Sequence, residues 1–273
     1  MSAVVWAGCT AHASIMLGPR NGDEAAPIDR VHEAWRVLGE NLANARPDVL
    51  VVIATDHFCT FSRDVMPSFA IGVGDRFRTW GDGHSKAMEL SGVPELGEDV
   101  AAAMVQAGID LTICAEMRLD HSFAAPIELL LGSHPDVPIL PMFVNCGVEP
   151  MPTLRRAYNV GIVLGQALSN QHHVRRVAVL GTGGLSHWVG LPQAGKLNPE
   201  FDRWFLDCFT SADYEPILNL SPGAEVREAG NGMGEVRNWM VAAGTVQNRF
   251  AEVTYQPIPS WITGIGMVQT GLI

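Results

Sequence analysis

The sequence predicts a single α/β domain over residues 1–273, with a central, mostly buried mixed sheet flanked by helices and a site at the carboxyl ends of the strands. Three observations predict it. The chain has 273 residues, 47% hydrophobic and only 17% charged, enough to enclose a substantial core. Apolar runs of strand type alternate with segments of helical periodicity. No internal repeat, low-complexity tract or linker divides the chain.

The elements follow in order. VVWAG (residues 4–8) is the first expected strand, and Ile28, Val31, Trp35, Leu38 and Leu42 recur at helical spacing through a first helix. DVLVVIA (48–54) is a continuous apolar run of the kind buried on both faces of a sheet. A helix is expected over 96–107, a strand over 110–115 (DLTICA) and a short helix over 125–132 (APIELLLG). VPILPMFV (137–144) reads as a strand, 154–168 as a helix and VRRVAVLG (174–181) as the next strand. Helices complete the pattern at 199–209 and 233–243.

Composition narrows the function. The net charge is −11 at pH 7 and the 18 Lys and Arg are scattered, which disfavours nucleic acid and anionic membranes as partners. The opening MSAVVWAGCT has a short apolar run without a basic flank, so neither a signal peptide nor a membrane span is expected, and the cytoplasm is the default location. Cys9, Cys59, Cys114, Cys146 and Cys208 are odd in number and lack C-x-x-C spacing, so no disulfide framework or zinc knuckle is signalled.

The histidines carry more information. Four of the nine, His12, His57, His121 and His187, each follow an expected strand, the edge where ligands bind in open α/β sheets. His32, His84, His134, His172 and His173 fall in a helix, loops and a turn, and read as exposed or capping residues. His187 ends the stretch VLGTGGLSHW (179–188), which three chemistries could want. As a dinucleotide loop it needs a helix at once, but HWVGLPQAGKLNP follows. As a nucleophile elbow around Ser186 it needs G-x-S-x-G, and Trp188 stands at the second glycine. What remains is a sharp glycine turn presenting His187.

His12 and His57 could supply two neutral imidazoles, and a carboxylate would complete the facial triad that leaves open positions on Fe(II). Glu235, in GNGMGEVRNWM (230–240), is one candidate, although on spacing alone its reading as a first-turn acid favoured by a helix N-terminus comes first. Asp56 and Asp120 each precede a candidate histidine, either to orient it or to cap a turn.

Taken together, ATDHF (54–58), DVMPSFAIG (64–72), GTGGLSHW (181–188) and GEVRNW (234–239) resemble the class III extradiol ring-cleavage dioxygenases, the superfamily of protocatechuate 4,5-dioxygenase β chains. The resemblance runs from residue 4 to about residue 245, and four motifs in order with a histidine near residue 12 make it specific. It implies Fe(II) held by His12, His57 and Glu235, although Glu225 and Glu228 lie close by in sequence. It implies His187 as a second-sphere acid–base residue and His121, in LDHSF, as the second catalytic histidine. The implied substrate is a catechol-like aromatic (protocatechuate or gallate, 2,3-dihydroxyphenylpropionate, or a dihydroxypyridine such as 3-hydroxy-4-pyridone) cleaved with O₂ beside its diol to a semialdehyde acid. A homo-oligomer is expected, and some relatives use a separate small subunit. Arg20, Arg63 and Arg118 could pair with a substrate carboxylate or be plain surface residues. The competing readings are a zinc-dependent or non-catalytic relative acting as a metal-binding protein, and an α/β hydrolase using Ser186.

Overall fold

The computed structural model describes residues 3–18, 24–132 and 135–271. Its ten strands are β1 (Ala3–Thr10), β2 (Val49–Ala54), β3 (Phe69–Gly72), β4 (Arg76–Arg78), β5 (Glu89–Ser91), β6 (Thr112–Cys114), β7 (Ile139–Val144), β8 (Arg176–Thr182), β9 (Phe250–Ile258) and β10 (Thr263–Thr270). Its helices are α1 (Ala25–Ala45), α2 (Pro94–Gln106), α3 (His121–Leu131), α4 (Leu154–Asn170), α5 (Pro199–Ser211), α6 (Glu215–Leu218), α7 (Ala224–Ala229) and α8 (Val236–Val246). Eight strands form one sheet in the order β6-β3-β7-β2-β8-β1-β10-β9, and β4 with β5 forms a small ribbon. β7, β2, β8 and β1 run parallel, whereas β3 against β7, β10 against β1 and β9 against β10 are antiparallel, so the sheet is mixed as expected.

The central strand shows why the fold forms. Every residue of β2 is buried, and successive side chains point to opposite faces. Val49, Val51 and Ile53 join the core under α4, α5 and α8, while Leu50, Val52 and Ala54 join the core under α1 and α3. A run without polar alternation is what such a strand requires, because neither face meets water. The helix expected over 233–243 is displaced: residues Asn231–Glu235 form a 3₁₀ turn, and α8, buried from Val236 to Thr245, follows.

Three differences from the sequence expectations matter for the site. The strand at 110–115 shrinks to β6 on the sheet edge. The helix expected from residue 125 starts at His121, because the Asp120 side chain caps it by accepting from the Ser122 backbone N–H. No strand is expected after residue 181, yet β9 and β10 form a hairpin against β1. Two glycines in β10 and Pro257 in β9 give loop-like composition, and Pro257 is tolerated because β9 is an edge strand. No described helix is long and apolar enough to cross a membrane, and all five cysteines are free thiols.

Candidate active site

His12, two residues past β1, and His57, three past β2, arrive from strand ends as expected. His187 arrives from the loop after β8, whereas His121 departs from expectation as the first residue of α3. The structure brings all four to one cavity of about 480 Å³, whose lining includes Glu235, Ile15, Trp261 and Ile262. Trp261 and Ile262 come from the unexpected hairpin, and no sequence motif marks them.

Glu235 is the hub. Its Oε1 lies 3.3 Å from His12 Nε2, 3.6 Å from His57 Nε2 and 3.8 Å from His187 Nε2. Its Oε2 accepts the Gly184 backbone N–H at 2.7 Å, which leaves Oε1 to the histidines. The other carboxylates near it in sequence are elsewhere: Glu225 forms a buried ion pair with Arg237 at 2.8 Å, and Glu228 is exposed. Two sequence motifs meet here. Asn238 Nδ2 donates to the Thr182 carbonyl at 2.6 Å and Trp239 Nε1 to the Gly183 carbonyl at 3.1 Å, locking the start of α8 onto the end of β8.

This contact explains a glycine. A Cβ on Gly183 would fall 2.6 Å from Glu235 Cβ and 2.8 Å from its carbonyl oxygen. GTGG is therefore glycine-rich for room: none of its glycines has a left-handed φ, contrary to a reading based on turn geometry.

Each imidazole is held by its other nitrogen. His12 Nδ1 bonds Thr182 Oγ1 at 3.2 Å, His57 Nδ1 bonds Asp120 Oδ2 at 2.8 Å, and His187 Nδ1 bonds the Leu185 carbonyl at 2.7 Å. Such partners fix ring orientation and tautomer, and leave Nε2 for a ligand. Asp56 instead accepts the backbone N–H groups of Cys59, Thr60 and Phe61, so it caps the turn after His57.

The donor set fits a metal ion. Donors about 2.1 Å from one ion lie roughly 3.0–3.5 Å apart, close to the spacing around Glu235 Oε1. Nitrogens of His12, His57 and His121 also lie within 4.8 Å of one another, which offers a three-histidine set. Ring geometry separates the two. The His57 and His121 rings stack at 4.3 Å with planes only 20° apart, whereas the His12 ring stands at 86° to His57. Nearly parallel stacked rings cannot both aim an in-plane lone pair at one ion, but perpendicular rings can.

Electrostatics follow from burial among these groups. Burial alone would push the Glu235 carboxyl up, but His12 and His187 hold it well below the usual carboxylate range. Burial pushes His12 down, toward the neutral form a metal needs. For His57 burial acts downward too, yet Asp120 and Glu235 outweigh it and lift the imidazole to about 10. His187 is also raised, because the Glu235 charge and the Leu185 carbonyl overcome burial.

The remaining candidates are placed elsewhere. The buried Ser186 hydroxyl donates to Asp202 at 2.7 Å and has no histidine partner among the described residues, which removes the hydrolase reading. The Arg118 guanidinium lies 3.6 Å over the Trp80 ring beside a different groove, and Arg63 is exposed. Arg20 and His134 lie outside the described residues. His173 pairs with Asp99 at 2.7 Å, His84 and His172 are exposed, and His32 packs edge-on against Trp261.

The family model described as the catalytic LigB subunit of aromatic ring-opening dioxygenase matches residues 7–266. The chain belongs to the LigB family. Relatives of this LigB protein include 2,3-dihydroxyphenylpropionate/2,3-dihydroxicinnamic acid 1,2-dioxygenases from Paraburkholderia xenovorans, 32% identical with 88% of this chain and 89% of the relative covered, and from Photorhabdus laumondii, 29% identical with 95% of each covered. An uncharacterized protein from Escherichia coli K12 shares the fold, with TM-score 0.64 and 17% identity over 98% of this chain and all of that one. The LigB chain is thus an extradiol ring-cleavage dioxygenase, an oxidoreductase of aromatic catabolism, and the non-catalytic reading falls away.

Proposed function

We propose that the protein is a non-haem Fe(II) dioxygenase that cleaves a catechol-like ring beside its vicinal diol, incorporates both atoms of O₂ and releases an open-chain semialdehyde acid. One observation carries this reading: His12 Nε2 and His57 Nε2 converge on the free oxygen of Glu235, in a cavity that His121 and His187 also line. His12, His57 and Glu235 are then the metal ligands. Bound there, ferrous iron supplies open positions at which diol and dioxygen meet, and a path for electrons between them.

The chain's own residues do the rest. Because His187 gives its Nδ1–H to the Leu185 carbonyl, its Nε2 is the nitrogen that takes a proton from a diol hydroxyl and later returns it. His121 lines the same cavity and acts as the second acid–base group. Ile15, Trp261 and Ile262 give the ring an apolar wall to pack against.

The substrate is a ring-substituted vicinal diol; candidates are 2,3-dihydroxyphenylpropionate, which the relatives' names carry, protocatechuate or gallate, and dihydroxypyridines such as 3-hydroxy-4-pyridone. Among the described lining residues, Ser14, Ser260 and Thr263 would meet a substituent, with no lysine or arginine. The five free thiols suit the reducing cytoplasm.

The test is metal analysis, oxygen-electrode assay and a spectrophotometric screen of vicinal diols on anaerobically purified protein loaded with Fe(II). Oxygen uptake with a yellow ring-opened product is expected; no uptake with any diol, or activity with zinc alone, overturns the reading. Sedimentation of the same preparation reports whether it works as the expected homo-oligomer without a small subunit.

A further inference from the structure

The stacked pair His57 and His121 is held by a matched device. Each ring gives its Nδ1 to a carboxylate: His57 to Asp120 at 2.8 Å, and His121 to Asp82 Oδ2 at 2.5 Å. Asp82 lies 39 positions from His121, in the loop between β4 and β5.

That loop is shaped around Asp82. Gly81 and Gly83 flank it at φ +69° and +59°, in the left-handed region where other residues are strained. A Cβ on Gly83 would also fall 2.2 Å from Ser14 Oγ, in the cavity wall. The turn closes through Ser85, whose N–H and hydroxyl both donate to the Asp82 carbonyl. The carboxylate itself takes no part in that turn. One oxygen serves His121, and the other, Oδ1, is buried without a hydrogen-bond partner among the described residues. Asp82 as a whole is half-buried, but a buried acceptor left unpaired costs stability, and the turn's own hydrogen bonds do not use the carboxylate.

We propose that Asp82 is the positioning residue of His121: it holds the Nδ1–H, and so delivers Nε2 into the cavity as the proton-exchanging atom. Neutral imidazole has two tautomers and two ring orientations, of which only one pairing presents a free Nε2 lone pair to the substrate. The carboxylate selects that pairing. The kinetic part of this inference rests on His121 acting on the diol of the proposed reaction. The tautomer part does not.

Proton and ¹⁵N NMR of the metal-free protein separates the two. The wild type should show a downfield, exchange-protected Nδ1–H from His121, lost in Asp82→Ala and absent in His121→Phe, which assigns it. Persistence of that proton in Asp82→Ala overturns the inference, whatever the protein's activity. With catechol as probe and Fe(II) loaded, Asp82→Ala should lower kcat about 10- to 10²-fold at unchanged KM and iron content, with no further loss in a His121→Phe background. An equal loss in both backgrounds, or KM and iron content moving together with kcat, overturns it. Asp82→Leu keeps the side-chain size without an acceptor and carries the same measurements if the alanine variant does not fold, with Asp82→Glu expected to restore part of kcat.

Discussion

Asp120 Oδ2 accepts both the backbone N–H and the ring Nδ1–H of His57, at 2.7 and 2.8 Å, across 63 positions of sequence. Its other oxygen takes the Ser122 N–H at 2.9 Å and caps the helix that begins with His121. A single carboxylate therefore orients a proposed ligand and anchors the element carrying a proposed acid–base group. Asp120→Asn should weaken metal affinity about 10- to 100-fold, because an amide no longer polarises the imidazole. Asparagine caps a helix about as well as aspartate, so the cap should survive with little change in stability. Competitive metal titration and thermal unfolding check the two expectations, and unchanged affinity would show that Asp120 only caps the helix.

His187 touches the cavity but is not among the proposed ligands. His187→Phe should retain iron at wild-type stoichiometry and lose about 10²- to 10⁴-fold in kcat, the usual worth of a positioned acid–base group. Iron content and single-turnover kinetics check this. Wild-type turnover in the variant would remove His187 from the chemistry.

Gly183 tests the packing of the two motifs. An alanine there meets Glu235 Cβ at 2.6 Å, and backbone on both sides leaves little freedom to yield. Gly183→Ala should cost roughly 1–3 kcal/mol of stability through overpacking. It should also displace Glu235 and lower metal affinity, although it removes no ligand. Differential scanning calorimetry with metal titration reads both; a stable variant with full affinity would mean that the loop yields freely.

Metal uptake should release protons. With His57 lifted to about 10, the metal-free site at pH 7 holds that imidazole as the cation, whereas coordination needs its neutral Nε2. Binding therefore expels a proton, and apparent affinity rises with pH up to about 10 and falls as pH drops. Proton release into weakly buffered, anaerobic solution on adding Zn(II) or Fe(II) measures it. In Asp120→Asn the release at pH 7 should shrink, since the group that outweighs burial is gone; equal release would assign the proton elsewhere.

Much of the fold was legible because the central strands lack polar alternation. VLVVIA, short and rich in β-branched residues, reads as a strand covered on both faces, and α1 follows from Ile28, Val31, Trp35, Leu38 and Leu42 on one stripe. The hairpin of β9 and β10 was not legible, because its strands carry glycines and a proline and gain stability from pairing rather than from pattern. Asp82 carried only the local signal of a Gly-Asp-Gly turn, which says that an aspartate is displayed and nothing about what it meets.

The sequence by itself determined the kinds of group available: imidazoles at strand ends, a late carboxylate, a glycine-rich turn and an acidic, thiol-bearing chain without a basic surface. Only the tertiary structure decided which carboxylate stands among the histidines and which nitrogen of each ring faces the cavity. Glu225 is neutralised by Arg237, Glu228 is left in water, and Glu235 is carried to the rings by the docking of α8 on β8. A buried charge must be paired where it is buried, and here the partners come from residues tens to hundreds of positions apart, which local pattern does not encode.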